Sequence, residues 1–359
     1  MNHLIKKLDL ELIDNYQYAE DLKGGKAAAL CKYIERGTDN AILFKFLIAP
    51  RRDEEKNAFE AEAESLSLLT KLISDDDDLH TFPKLIYPFT KKDDEGIYYF
   101  GFEFIEGITL REYFNKKPLP WEWKDALKII YKVVIALSSI SRFQIVHSDL
   151  HPGNILLKTG FDLKRGYDDK NNSVAILDLG CSKNYLEQLF HSEKITLNYF
   201  RHFGAMSSWS PEFLQNPKSA TVNSDIWAIG VLFFYLITNE YPIESKNFGE
   251  FYKNCVIEFK LNLDPIEKLN LPYLTEQLLL GMLKYNPDER FLHHPITNII
   301  SDILDGKILT QSPEFQKEYI SKKGDIWQCP QCGYIGQPNG NRCIGCGRFN
   351  NPEDWLKPF

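Results

Sequence analysis

The pattern of hydrophobic and polar residues in the first third of the chain predicts a small sheet with one helix. Two runs rich in β-branched and aromatic residues, AILFKFLI (41–48) and GIYYFGFEFI (96–105), are typical of strands. The acidic segment between them, EEKNAFEAEAESLSLLTKL (54–72), repeats its apolar residues at helical spacing. We therefore expect a β-rich lobe over residues 12–104, with the helix packed on the sheet.

The pattern turns helical after Trp121 and predicts a mainly α lobe over residues 105–305. Apolar residues that step by three and four form one amphipathic face: Leu127, Ile130, Val134 and Leu137. The apolar run 226–237 is shorter than the roughly 20 residues that cross a bilayer. It therefore predicts a buried helix.

Three polar stretches are predicted to lie outside these cores. Residues 75–78 and 164–173 have the composition of solvated loops that bury nothing. Residues 306–323 are polar enough to form a linker between the second lobe and the end of the chain.

Composition and charge predict a cytoplasmic protein that binds neither nucleic acid nor a membrane. Its 359 residues suit either one large two-lobed domain or a large domain plus a small one. The formal net charge of −8 disfavours nucleic acid, and the charges that interrupt the N-terminal segment disfavour a secretion signal. Four of the seven cysteines cluster near the end, which does not suggest an extracellular disulfide framework. We expect no membrane association.

Two segments combine carboxylate, amide and imidazole side chains: VHSDLHPGNILL (146–157) and AILDLG (175–180). They resemble the catalytic loop and the metal-binding motif of protein kinases, H-R-D-L-x-x-x-N and D-F-G. The resemblance implies that Asp149 is the base and that Asn154 and Asp178 hold magnesium. An isolated D-x-x-x-x-N is also compatible with a turn and a helix cap. The further similarities to protein kinases described below disfavour that alternative.

Lys45 lies in an apolar strand-like run, where an unpaired ammonium would be costly to bury. The resemblance implies that it contacts the ATP phosphates and pairs with a glutamate of the following helix. Glu62 is the preferred partner by its spacing within that helix, and Glu60 and Glu64 are the alternatives.

The segment GFEFIEG (101–107) resembles the kinase hinge. Phe102 takes the place of the gatekeeper, and the backbone of Glu103 and Ile105 would face adenine. The phosphate loop departs from the family, because the glycine positions of G-x-G-x-x-G fall on Lys23, Gly25 and Ala28. The resemblance places these residues around the nucleotide: Gly24, Gly25, Lys26, Ala28, Leu30, Lys45, Phe102, Glu103, Ile105, His151, Asn154 and Asp178.

Three further matches are structural in the family: Glu212 of a sequence SPE, Asp225 and Arg290. The resemblance implies that Asp225 braces the catalytic loop and that Arg290 pairs with Glu212.

Other positions differ from the family pattern. Ser148 replaces the arginine of H-R-D, and His151 stands where many kinases carry a lysine. Ala205 occupies a position where serine/threonine kinases usually have threonine.

Near the C-terminus, four cysteines form C-x₂-C-x₁₀-C-x₂-C: Cys329, Cys332, Cys343 and Cys346. Paired thiolates at this spacing are typical of tetrahedral zinc, and four sulfur ligands leave no open position for catalysis. We expect a structural zinc ribbon over residues 324–350 that docks a partner. Two disulfides are the alternative.

The sequence as a whole predicts an α+β, two-lobed protein-kinase fold over residues 12–305, followed by the linker and the zinc ribbon. The implied activity is phosphoryl transfer from ATP to serine or threonine hydroxyls, including autophosphorylation, with Mg²⁺ and Zn²⁺ as metals. A small-molecule phosphotransferase of the aminoglycoside type and an ATP-binding pseudokinase scaffold are the alternatives. The architecture also resembles bacterial kinases encoded beside a phosphatase and a von Willebrand factor A protein, which would be partners.

Overall fold

The computed structural model describes residues 12–324 apart from 14, 23–27, 49, 51–52, 73–79, 93–95, 142, 144, 179–205, 292 and 307. The strands are Leu12–Ile13 (β1), Tyr16–Leu22 (β2), Ala29–Glu35 (β3), Ala41–Ile48 (β4), Leu85–Lys92 (β5), Ile97–Glu103 (β6), Gly107–Thr109 (β7), Ile155–Lys158 (β8) and Val174–Ile176 (β9). The α-helices are Asp53–Leu72 (α1), Leu110–Tyr113 (α2), Trp123–Ser141 (α3), Pro211–Gln215 (α4), Val222–Thr238 (α5), Phe248–Tyr252 (α6), Asp264–Glu267 (α7), Tyr273–Met282 (α8), His293–Leu304 (α9) and Pro313–Gly324 (α10).

The first six strands form one antiparallel sheet in the order β1-β2-β3-β4-β6-β5. Lys45 on β4 is in register with Leu30 on β3 and Phe100 on β6. Successive side chains of a strand point to opposite faces. Lys45 and Phe100 therefore share the face that meets α1, where the Phe100 and Phe59 rings lie 4.9 Å apart.

The opposite face of this sheet carries a separate aromatic core. Alternate residues of the central strands are buried there: Ala29, Cys31, Tyr33, Ile42, Phe44, Phe46 and Ile97. The Tyr33 and Phe44 rings meet edge to face at 4.9 Å, a geometry that aromatic pairs prefer. Because both faces of the sheet are packed, β4 holds Lys45 in a fixed position facing α1.

The described residues after β6 form a mainly helical lobe centred on α3, α5 and α9, in which β7, β8 and β9 pair as a second, antiparallel sheet. The predicted amphipathic residues of α3 are buried: Leu127, Ile130, Val134 and Leu137. The apolar run 226–237 is the buried helix α5, as predicted. The two-lobed architecture expected from the sequence is thereby confirmed. None of the helices in the described part of the chain has both the length and the apolar character required to span a membrane.

The loop between β8 and β9 corrects one prediction, since residues 164–173 are not simply solvated. Asn172 is 2% exposed, and its amide exchanges two hydrogen bonds with the backbone of Asp162, at 2.8 and 2.9 Å. The buried ammonium of Lys132 on α3 donates to the Tyr167 carbonyl at 2.8 Å. A polar loop is ordered here because its polar groups find partners on the lobe. The other predicted loop, 75–78, lies outside the described residues.

The predicted linker needs a similar correction. Helix α10 occupies most of residues 306–323 and packs on α8 and α9. Gln316 is buried and donates to the Gln311 carbonyl at 2.8 Å, while the Tyr319 hydroxyl donates to Asp302 on α9. The segment is polar because only one side of the helix touches the lobe.

Candidate active site

Three charged side chains meet where the two lobes face each other. Lys45 Nζ lies 2.6 Å from Glu62 Oε1 on α1 and 3.1 Å from Asp178 Oδ1, just after β9. The side chain of Glu62 is 8% exposed and that of Asp178 is 47% exposed. The ion pair between Lys45 and Glu62 expected from the sequence is therefore present, and Asp178 joins it.

The Lys45 ammonium and the Asp178 carboxylate stabilise each other's charged forms. Burial alone lowers the pKa of Lys45, but the carboxylates of Asp178 and Glu62 outweigh it and raise the pKa above its ordinary value. The Lys45 ammonium lowers the pKa of Asp178 to about 2. At neutral pH, the site thus holds a charged lysine beside an ionised Asp178.

Asp225 at the start of α5 braces the catalytic loop. This carboxylate is 2% exposed and accepts the backbone N–H of His147 at 2.9 Å and of Ser148 at 3.0 Å. Ser148 has φ 63°, a left-handed conformation that costs energy for a residue other than glycine. The two charge-assisted hydrogen bonds offset that cost. The brace expected from the sequence is present.

His147 ties the catalytic loop to the strand that leads into Asp178. Its Nε2–H donates to the Leu177 carbonyl at 3.0 Å, and its Nδ1 accepts the Asp149 N–H at 3.2 Å. Burial lowers the pKa of His147, so the imidazole is neutral and its tautomer is defined by these two partners. The Leu177 N–H adds a second link to the Asn154 carbonyl at 2.8 Å.

Asp149 and Asn154 lie next to each other in this loop. The Asn154 Nδ2 donates to the Asp149 carbonyl at 2.9 Å and lies 3.5 Å from Asp149 Oδ2. Burial, together with the negative charge of Asp178, raises the pKa of Asp149 to about 8. The Asp149 side chain remains 29% exposed. Asp149 is therefore a reachable carboxylate with increased proton affinity, as a general base requires.

The oxygen donors of this site fit a magnesium ion. With Nδ2 committed to Asp149, the Oδ1 of Asn154 accepts no hydrogen bond in the described part of the chain. Asp178 adds a half-exposed carboxylate. Magnesium usually takes one or two protein oxygens and completes its shell with water and phosphate. The described residues contain no cluster of three or more His, Cys, Asp or Glu that could hold a metal ion by itself.

Most of the predicted nucleotide-binding residues lie in the described part of the chain, and three of them lie outside it. Phe102 on β6 is in register with Leu43, which shares the face of Lys45, and the N–H of Ile105 has no partner in the described segments. The Glu103 N–H donates to the Lys84 carbonyl at 2.9 Å. Ala28 and Leu30 are half-buried at the start of β3. The predicted phosphate-loop residues Gly24, Gly25 and Lys26 lie outside the described residues.

A buried ion pair anchors the sequence SPE (210–212), which in protein kinases ends the segment called the activation segment. Arg290 donates from Nη1 and Nη2 to the two oxygens of Glu212, at 2.7 and 2.8 Å. The Arg290 side chain is fully buried, and the Ser224 hydroxyl donates to the same carboxylate at 2.7 Å. The predicted pair is present. Ala205 and the four predicted zinc ligands lie outside the described residues.

His151 and an unpredicted arginine lie beside Asp149. His151 accepts the Gly153 N–H at Nδ1, at 2.9 Å, and its Nε2 lies 3.8 Å from Asp149 Oδ2. Burial, followed by the charge of Arg111, lowers the pKa of His151 to about 4. No motif identifies Arg111 in the sequence. Its position shortly after the predicted hinge was the one available signal.

A small antiparallel sheet that carries the Lys45–Glu62 pair, set against a helical lobe that presents Asp149, Asn154 and Asp178, defines the two-lobed kinase class of phosphotransferases. The protein kinase domain family matches residues 16–300, well over half of the chain. The chain belongs to this family.

Known relatives in this family include bacterial enzymes. The chain is 28% identical over 166 residues to serine/threonine-protein kinase PrkC of Bacillus subtilis, covering 46% of this chain and 22% of PrkC. It is 30% identical over 147 residues to probable serine/threonine-protein kinase PknB of Lactococcus lactis, covering 41% of this chain and 20% of that protein. The chain thus spans about a fifth of the length of these two relatives.

Proposed function

We propose that the chain is a protein kinase that transfers the γ-phosphoryl group of ATP to serine or threonine hydroxyls, its own among them, through a domain over residues 12–305. The observation that carries the proposal is the convergence of Lys45, Glu62 and Asp178 beside Asp149. Membership of the protein kinase domain family supports it, as do relatives that carry the name serine/threonine-protein kinase.

Each of these side chains has a role in the proposed reaction. Asp149 orients the acceptor hydroxyl and takes its proton while the oxygen bonds to the γ-phosphorus. The bond from that phosphorus to the bridging oxygen breaks, and ADP leaves. Lys45, oriented by Glu62, contacts the ATP phosphates. Asn154 and Asp178 hold magnesium, which neutralises phosphate charge when bound.

The anchored activation segment favours this proposal over a small-molecule phosphotransferase. The buried pair of Glu212 and Arg290 holds the end of that segment on the helical lobe. In the proposal, this anchor supports a platform for an extended peptide. The complete set of Lys45, Asp149, Asn154 and Asp178 disfavours the pseudokinase scaffold, because nothing that phosphoryl transfer needs from them is missing.

For the C-terminal cysteines we propose one structural zinc ion bound by Cys329, Cys332, Cys343 and Cys346. The support is their spacing in the sequence. The resulting zinc ribbon would dock a protein partner, and the phosphatase and von Willebrand factor A protein named above are the first candidates.

The decisive experiment offers the purified protein labelled ATP and Mg²⁺ with generic protein acceptors and, separately, with aminoglycosides and other small alcohols. We expect label on protein, including the enzyme, with phosphoserine or phosphothreonine identified by mass spectrometry. Turnover of a small alcohol without any labelled protein would establish the small-molecule alternative. Nucleotide binding without transfer to any acceptor would establish the scaffold.

A further inference from the structure

The guanidinium of Arg111 is a free cation beside the catalytic loop. Arg111 is exposed on the short helix α2, and its backbone N–H donates to the Pro152 carbonyl at 3.0 Å. Within the described ranges, its side chain makes no hydrogen bond or ion pair. By contrast, the nearby Lys117 is paired with Asp125. The fold therefore holds Arg111 at the loop by its backbone and leaves its charge available.

Gly153 of the same loop lies between Arg111 and His151. A Cβ added at Gly153 would lie 3.5 Å from Arg111 Nε and only 2.8 Å from His151 Cε1. A separation below 3.0 Å is essentially never seen for a real Cβ, so the glycine leaves room for the His151 ring, while a Cβ would be in ordinary contact with Arg111. His151 in turn lies 3.8 Å from an Asp149 carboxylate oxygen. Arg111 is thus one side chain away from the proposed base.

The positive charge of Arg111 acts on two neighbouring side chains. The charge of Arg111 reaches the His151 ring, where it opposes protonation, and also the Tyr241 hydroxyl, where it opposes the effect of burial. A neutral His151 adds no charge of its own. Tyr241 stacks on Tyr235 with ring centroids 4.8 Å apart. Its neutral ring does not compete with a substrate carboxylate for Arg111.

We propose that Arg111 selects the acceptor by binding a carboxylate of the substrate peptide close to the phosphorylated hydroxyl. A guanidinium presents a planar pair of N–H donors that matches a carboxylate. Because Arg111 has no partner among the described residues, no existing ion pair has to be broken when it binds one. An acidic segment would therefore bind well and a basic segment poorly. This inference rests on the proposed kinase function and assigns its substrate class: acidic peptides.

The test uses the full chain with ATP, Mg²⁺ and three synthetic peptides that share one acceptor residue and carry flanking Glu, Ala or Lys. We expect the lowest KM for the Glu peptide, and a weaker preference at high salt because ionic contacts are screened. Arg111→Ala should raise KM for the Glu peptide about fivefold relative to the Ala peptide, the scale of one exposed ionic contact. kcat should change less, because Arg111 touches no reacting atom. Arg111→Glu should reverse the order of the Glu and Lys peptides, and Arg111→Lys should retain most of the preference.

Lys116→Ala is the matched control, since it removes one exposed positive charge just after α2 without touching the catalytic loop. It should leave the peptide preference unchanged. An active wild type with equal KM values for the three peptides would overturn the inference while leaving the kinase proposal intact. Equal shifts in Arg111→Ala and Lys116→Ala would overturn it as well. No transfer to any peptide or protein by the wild type would refute the proposed function and, with it, this inference.

Discussion

At the scale of single residues, the charged groups of the site differ in how they are neutralised. Lys45 is paired with two carboxylates, and the carboxylate of Asp225 accepts two backbone N–H groups. Asp149 has neither kind of partner in the described part of the chain: its nearest contacts are the Asn154 amide at 3.5 Å and the His151 ring at 3.8 Å. Burial, followed by the negative charge of Asp178, therefore raises the pKa of this carboxylate. That property suits the step assigned to it.

Replacing this carboxylate should separate catalysis from folding. We expect Asp149→Asn to lower kcat by about 10² to 10⁴, the usual contribution of a positioned general base. Thermal stability and ATP affinity should stay close to wild type, because the amide has the same shape and Asn154 keeps its hydrogen bond to the Asp149 carbonyl. Initial rates, a melting curve and calorimetric titration with ATP measure the three quantities. An undiminished transfer rate would exclude Asp149 as the base.

At the scale of elements, one arginine joins three parts of the helical lobe. Besides the two bonds to Glu212 in α4, Arg290 donates to the carbonyls of Lys284, Asn223 and Tyr285, at 2.7 to 3.0 Å. Asn223 belongs to α5, and the other two follow α8. Because the ion pair is buried, losing one partner would leave a desolvated charge behind.

Arg290→Leu should therefore destabilise the helical lobe by about 3 to 5 kcal/mol, with a matching fall in Tm. The double variant Arg290→Leu with Glu212→Leu should recover part of the loss, since it leaves no unpaired charge. Recovery should be incomplete because three carbonyls still lack their donor. A double-mutant cycle by thermal or denaturant unfolding measures the coupling.

The control for this cycle is the exposed pair of Lys253 and Glu258, whose charged atoms lie 2.8 Å apart. Lys253→Ala should leave the Tm unchanged, because solvent already surrounds both groups. If Arg290→Leu melted at the wild-type temperature, the pair would not anchor the activation segment.

At the scale of the whole molecule, the two lobes are linked by contacts between distant parts of the chain. Lys45 of the sheet pairs with Asp178 of the helical lobe at 3.1 Å, and the Ile176 N–H donates to the Thr81 carbonyl at 2.8 Å. The family match ends at residue 300, before the C-terminal cysteines. The proposed zinc module and the kinase domain should accordingly be separable.

Metal analysis tests that separation. We expect about one zinc per chain in purified, reduced protein, and none after Cys329→Ser with Cys332→Ser, because two of four ligands cannot hold the ion tightly. Transfer to a generic protein acceptor should persist in this variant, and folding of the kinase domain should be unaffected. Protein without zinc whose four cysteines are oxidised would favour the disulfide alternative instead.

The sequence by itself determined the elements and the chemical inventory of this protein. Strand β4 coincides with the run AILFKFLI, and helix α1 begins one residue before the predicted segment and ends with it. Such elements are readable because periodic burial is a property of neighbouring residues. By its resemblance to protein kinases, the sequence also predicted a site at Lys45, Asp149, Asn154 and Asp178, and the structure places Lys45 beside Asp178 and Asn154 beside Asp149.

Only the tertiary structure decided which polar groups meet. Lys45 and Asp178 are 133 positions apart, and the carbonyl that orders loop 164–173 lies 35 positions from the Lys132 that binds it. Arg111 lies at the catalytic loop without any motif, held there by its backbone N–H, which donates to the Pro152 carbonyl at 3.0 Å. Polarity along a chain indicates that a group needs a partner or water. Which of the two it obtains depends on the surface that the fold brings against it.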